Sequence, residues 1–168
     1  MEKLLRKFET AKRLVPGPVT HKAAQPTRLG VIMYGSTGPA MDEAAVLLAE
    51  GGVHLDVMRV RGFPFCDEVV DFVNAHDRVF VLEQNRDAQL RSLLLIEHGL
   101  DPAKLISVLH YDGSPITARF IVKAIADRAR LSAQGEVERL DDDGGERIVS
   151  LPTSRDRAGA PDQAKALS

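Results

Sequence analysis

Short apolar runs alternating with segments of helical period constrain this chain more than any other feature. Gly30–Tyr34, Val53–Val60, Val79–Leu82 and Ile106–Leu109 are brief, rich in Val, Ile, Leu and Met, and read as strands. A fifth run, Ile148–Leu151, belongs at a sheet edge if it is a strand. Between the runs, apolar residues recur at helical spacing. Met41, Ala44, Ala45 and Leu48 share one helix face, and Phe65, Val69, Phe72 and Val73 share another. Leu90, Leu93 and Leu94 form a third face, and Ala118, Ile121, Val122 and Ile125 a fourth. Strand and helix in strict alternation imply right-handed crossovers and parallel strands with helices on both faces. The expected fold class is therefore α/β, a three-layer sandwich around a mainly parallel sheet of four to five strands.

The main domain is expected to span 29–130. Ahead of it, 1–28 reads as an N-terminal helix and linker. Leu4, Leu5, Phe8, Ala11 and Val15 lie on one stripe, Pro16-Gly17-Pro18 ends the helix, and a loose polar connector continues to Thr27. Beyond it, 131–168 is rich in Asp, Gly, Arg, Ala and Ser and reads as a mostly disordered polar tail. Two short runs around Asp-Asp-Asp-Gly-Gly make 136–151 a candidate hairpin.

Charge and cysteine usage narrow the function classes. Lys and Arg total 22 against 24 Asp and Glu, a formal charge of -2, which provides no basic field for nucleic acid or anionic lipid. No segment approaches the roughly 18 consecutive apolar residues of a membrane span, and the opening residues lack the apolar core of a secretory signal. Cys66 is the one cysteine, so no intrachain disulfide can form and no iron–sulfur cluster can be ligated by this chain alone. A cytoplasmic protein is expected. His54, His76 and His98 are isolated, His21 lies in the connector, and Asp141–Asp143 lacks the spacing of a calcium loop, so no metal site is predicted.

Polar residues collect where the apolar strands end, which is where open α/β sheets keep their binding surface. Gly35-Ser36-Thr37-Gly38-Pro39 can cradle an anion with its N–H groups and hydroxyls, or Ser36 or Thr37 can simply cap the helix with Pro39 in its first turn. In Glu83-Gln84-Asn85-Arg86-Asp87, Asp87 is placed to cap the next helix. Asn85 and Gln89 can fix a neighbouring backbone while Arg86 grips a carboxylate or phosphate. The structural alternative pairs Glu83 with Arg86 across the turn. His110 near Asp112 can exchange protons near neutrality. Alternatively, Asp112-Gly113 is a tight turn, Ser114 a cap with Pro115 first in the helix, and His110 a partly buried hydrogen-bonder. No activated nucleophile accompanies them, since Cys66 lies between apolar Phe65 and Val69. Arg59 and Arg61 fall on the same side of their strand, either for an anionic partner loop or as solvated charges. The candidates for ligand or interface contact are thus Ser36, Thr37, Asn85, Arg86, Gln89, His110 and Asp112, with no catalytic residue assigned.

Between about Lys7 and Ile125, the segments KFETAKRLVPGPV, RLGVIMYGST, MRVRGFPFCDEVVDFVNAHDRVFVLEQNRDAQLRSLL and SVLHYDGSPITARFI carry a family resemblance. In order and spacing they resemble the last domain of the α subunit of 2-oxoacid:ferredoxin oxidoreductases, particularly the 2-oxoglutarate type. That domain is related to the transketolase C-terminal domain. The resemblance implies an assembly in which thiamine diphosphate and magnesium drive oxidative decarboxylation, iron–sulfur clusters pass electrons to ferredoxin, and coenzyme A takes the acyl group. This chain shows no GDG…NN-type thiamine motif, no cysteine set and no preceding pyrimidine-binding domain. It is therefore expected to be a piece of the α subunit, whether a split-gene product, a truncated reading frame or an excerpt, inactive by itself and binding none of these cofactors alone. Its expected partners are the β subunit and the remaining α-subunit domains, with ferredoxin met only indirectly. In such an assembly coenzyme A or substrate can touch Ser36, Thr37, Asn85 or Arg86. Two readings stand beside it: a free-standing anion- or nucleotide-binding module built on Gly35–Pro39, and a hydrolase using His110 and Asp112.

Overall fold

The computed structural model describes residues 2–133, with side chains placed to residue 129. The chain runs through α1 (Glu2–Lys12), β1 (Val19–His21), β2 (Leu29–Tyr34), α2 (Gly38–Glu50), β3 (Asp56–Val60), α3 (Asp67–Ala75), β4 (Arg78–Glu83), α4 (Gln89–His98), β5 (Leu105–Leu109) and α5 (Ala118–Ala133). The strands form one sheet in the order β1-β3-β2-β4-β5, in which β3, β2, β4 and β5 are parallel and β1 is antiparallel to β3. The expected α/β three-layer sandwich is what the chain forms.

Strand alternation divides the core into two. Val31, Met33, Val57, Phe80, Leu82 and Val108 pack on one face against Met41, Ala44 and Leu48 of α2 and Ile121 and Ile125 of α5. Ile32, Met58, Val60, Val79 and Val81 pack on the other against Val69, Phe72 and Val73 of α3 and Leu90 and Leu94 of α4. Because β2 and β4 are covered on both sides, they read as continuous apolar runs. At the start of β2, Gly30 is required by close approach: a methyl group there would lie 2.8 Å from Phe72 Cε1. Helix α4 ends at Gly99, whose φ of 57° is left-handed and lets its N–H close on the Leu95 carbonyl.

The sequence reading differs from the structure at the fifth strand. The segment read as a loose connector contains β1, with Val19, Thr20 and His21 opposite Arg59, Met58 and Val57. Three residues are too few to show an alternation, yet the pairing covers backbone groups that β3 would otherwise present at an open edge. The candidate strand at 148–151, the hairpin at 136–151 and nearly all of the tail lie outside the described residues. Helix α1 buries no side chain: Leu4, Leu5 and Phe8 remain exposed, and Phe8 meets the domain through an edge-to-face contact with Phe63 at 6.4 Å.

Candidate functional site

The chain leaves β2 in one direction to reach β3 and crosses back to reach β4, so the strand order reverses between β2 and β4. Loops at the carboxyl ends of two such strands diverge and leave a crevice. The turn of Gly35–Thr37 stands on one side of it and Gln84–Asp87 on the other.

Glu83, the last residue of β4, organises that second loop. Its carboxylate is fully buried, accepting from the Leu90 N–H at 2.7 Å, the Arg91 N–H at 3.0 Å and Asn85 Nδ2 at 2.8 Å. An anion beneath the first turn of α4 satisfies N–H groups that have no intrahelical partner and sits at the positive end of the helix. Asp87 is therefore not the cap that the sequence suggested, nor does Glu83 pair with Arg86. Arg86 Nε instead donates to Asp87 Oδ1 at 2.8 Å, on the solvent side. The reason is geometric. Ala88 adopts a left-handed φ of 47°, so α4 opens with its free N–H groups turned toward the end of β4. Asn85 finishes the loop, its Oδ1 accepting from the Asp87 N–H at 3.0 Å and lying 3.4 Å from the Gln89 nitrogen.

The structure brings Ser36, Thr37 and Asn85 to the same crevice. Gln84 Nε2 spans it, 3.3 Å from Ser36 Oγ and 3.2 Å from Thr37 Oγ1, and Asn85 Nδ2 lies 3.5 Å from the Tyr34 hydroxyl. Neither Ser36 nor Thr37 caps α2 through its side chain. Their hydroxyls serve a cross-crevice bridge, which also occupies the groups expected to cradle an anion. Arg86 and Gln89 stay exposed at the rim.

His110 comes directly after β5, and its N–H donates to the Glu83 carbonyl at 2.9 Å, which joins the third turn to the second. The ring is buried beside Phe120, with centroids 4.7 Å apart. Its Nε2 is 3.1 Å from the Ser114 carbonyl oxygen, an acceptor only, so Nε2 carries the proton and donates. Asp112 Oδ1 lies 3.3 Å from the same Nε2 and accepts from the Ser114 hydroxyl at 2.7 Å and the Ser114 N–H at 2.8 Å. A hydrolytic triad needs its carboxylate on one ring nitrogen and its nucleophile on the other. Here a single nitrogen faces both groups, and the serine hydroxyl is directed at the aspartate. The hydrogen bonds from Ser114, its hydroxyl foremost, hold the Asp112 carboxyl below its ordinary value. Gly113, at a φ of 90°, completes the tight turn. Ser114 does not cap α5; Thr117 does, its Oγ1 accepting from the Phe120 N–H at 3.3 Å.

Among the described residues no donor set fits the metal centres implied by resemblance. Among the described residues no three His, Cys, Asp or Glu converge to hold a metal ion, and one cysteine cannot ligate an iron–sulfur cluster. Among the described residues no helix is long and apolar enough to cross a membrane.

Sequence reasoning missed Glu83 as the anchor and Gln84 as the bridge. The signal for Glu83 was a single acid directly after the apolar run Val79–Leu82, since a carboxylate drawn into a core must find donors there.

No protein-family model and no curated protein matches the chain. Solved structures do. The 2-oxoglutarate:ferredoxin oxidoreductase from Magnetococcus marinus, solved with 2-oxoglutarate, coenzyme A and succinyl-CoA bound, superposes with a TM-score of 0.62 at 22% identity over 71% of this chain. The match spans 21% of that enzyme's chain, so the present chain corresponds to about a fifth of it. A split-gene transketolase, an inactive beta4 tetramer, superposes with a TM-score of 0.52 at 20% identity, covering 68% of this chain and 41% of that one. The sandwich built around the Glu83-anchored crevice thus has the fold of a transketolase C-terminal-like domain, as found within a 2-oxoglutarate:ferredoxin oxidoreductase.

Proposed function

We propose that this chain is the terminal interface domain of the α subunit of a thiamine-dependent 2-oxoacid:ferredoxin oxidoreductase, of the 2-oxoglutarate type. In this reading it supports oxidative decarboxylation to an acyl-CoA within a cytoplasmic complex and contributes no catalytic group. The observation that carries the reading is the crevice surface itself: a polar loop fixed from beneath by buried Glu83 and turned outward at Arg86 and Gln89. Loops ordered before docking lose little entropy when a partner covers them. Tyr34, Phe63 and Tyr111 are 41%, 41% and 52% exposed around that end of the sheet and supply aromatic anchors of the kind that dominate interfaces.

The partners are the β subunit and the remaining α-subunit domains. They bring thiamine diphosphate, magnesium and the iron–sulfur cluster, and through them ferredoxin is reached. The substrate and coenzyme A named for the Magnetococcus marinus enzyme support acyl-CoA chemistry for the assembly. In this reading coenzyme A meets this domain along Ser36, Thr37, Asn85 and Arg86, while His110 and Asp112 hold the neighbouring turn in shape.

Co-expression with a thiamine-binding β subunit and the remaining α-subunit domains tests this. Stable copurification is expected, together with ferredoxin reduction that depends on 2-oxoglutarate and is lost when this chain is left out. A folded monomer with no affinity for those subunits overturns the proposal.

A further inference from the structure

Beside the crevice, the loop after β3 leans away from α4 and leaves a cleft of about 620 Å³, lined by Tyr34, Arg59, Arg61, Phe63, Gln89 and Leu93 among others. Sites for small organic ligands occupy about 300–1,000 Å³ and combine apolar walls with a few polar groups. This cleft has that composition. Val60, Phe65 and Leu90 form its buried apolar wall, and none of the described residues lining it is acidic.

Arg59 is its distinctive group. The side chain is half-buried, yet its guanidinium makes no hydrogen bond or ion pair with any other described residue. Its head reaches the first turn of α2, where a methyl group on Gly38 would lie 3.5 Å from Nη1. Arg61, two residues along the same side, donates Nε to the Gly17 carbonyl at 2.7 Å and keeps its remaining N–H groups. A guanidinium in an apolar recess without a counter-charge presents a fork of donors that matches a carboxylate in two parallel bonds. The chemistry of the walls limits the body that such a carboxylate can carry. Phe63 and Phe65 meet edge to face at 5.3 Å and an interplanar angle of 84°, so they form no parallel slot for a planar base, whereas Val60, Leu90 and Leu93 offer aliphatic surface.

We propose that this cleft binds an aliphatic carboxylate, its head group on Arg59 and its chain against Phe63, Leu90 and Leu93. The proposal does not rest on the interface role, although Tyr34, Phe63 and Gln89 belong to both surfaces, because it concerns the chain without partners.

The isotope-labelled full chain, titrated separately with octanoate, 1-octanol, acetate and ADP and monitored by amide NMR, decides it. Octanoate should shift the Gly35, Arg59, Phe63 and Leu93 amides and bind about tenfold or more tightly than 1-octanol, the magnitude expected of one charge-assisted hydrogen-bonded pair. Acetate, lacking the chain, and ADP, with its planar base, should bind more weakly still. Arg59→Gln should bring octanoate down to the level of 1-octanol and leave 1-octanol unchanged. Phe63→Ser, at an exposed position, should weaken octanoate several-fold and leave acetate unaffected. Equal affinities for octanoate and 1-octanol, tighter binding of ADP, shifts confined to other surfaces, or indifference to both substitutions overturns the proposal.

Discussion

Two carboxylates are withdrawn from solvent at opposite ends of the same sheet, and they do different work. Glu83 closes β4, and its three donors come from within eight residues: Asn85, Leu90 and Arg91. Asp56 opens β3 and draws its partners from far along the chain. Lys22 Nζ lies 2.6 Å away, the Ala23 N–H 2.9 Å and His76 Nε2 3.2 Å, at separations of 34, 33 and 20 residues. The first carboxylate shapes one turn and one helix start. The second fastens the N-terminal arm that carries β1 onto the sheet. What an acid does in this fold is decided by which donors its surroundings deliver, and the end that carries the proposed interface is the one whose order is local.

Breaking Glu83 should have the largest effect. Glu83→Ala leaves one buried and one part-buried N–H group of α4 without acceptors, at about 1–3 kcal/mol each, so a total loss of about 3 kcal/mol in a urea unfolding experiment is expected. Glu83→Gln should recover part of it, since an amide oxygen can serve Leu90 while its NH2 opposes the Arg91 N–H. A loss no greater than that of an exposed substitution would remove Glu83 as the anchor.

Asp56→Asn should cost less, about 1–2 kcal/mol, because the charge-assisted bonds weaken but the shape is kept. Hydrogen exchange should accelerate at 19–23 while the central strands stay protected. Acid sharpens the contrast. Burial pushes the Asp56 carboxyl up, but the bonds from Lys22, the Ala23 N–H and His76 outweigh it and hold it below its ordinary value of 3.8. A depressed carboxyl contributes stability in full above the unfolded value and loses it as pH falls through the folded one. The arm should therefore loosen in acid below about pH 4, with Asp56→Asn flattening that dependence. Equal acid sensitivity in the two proteins would show that the clasp does not govern the arm.

The smallest effect is expected at Arg28, whose paired bonds to Asp77 at 2.5 and 3.1 Å are exposed on both sides. Arg28→Ala should leave the unfolding midpoint unchanged within error, since solvent and salt screen such a pair. A shift comparable to that of Asp56→Asn would erase the distinction between a built clasp and a surface pair.

Periodicity by itself determined the layered α/β class, the four parallel strands and the helix faces between them, because the apolar stripes at Met41–Leu48, Val69–Val73, Leu90–Leu94 and Ile121–Ile125 result from burial along each element. It also placed Ser36, Thr37, Asn85 and His110 at strand ends, which alternation alone puts on one side of a parallel sheet. Only the tertiary structure decided which partner each polar group takes. Asp87 and Ser114 looked like caps because caps are read from the nearest suitable residue, whereas Glu83 reaches α4 from the strand and Thr117 stands where α5 starts. β1 was likewise invisible, for its three residues become a strand by pairing with β3, some 40 residues on. Burial is written locally into a sequence as spacing, but a hydrogen bond needs two groups whose meeting depends on the path of everything between them.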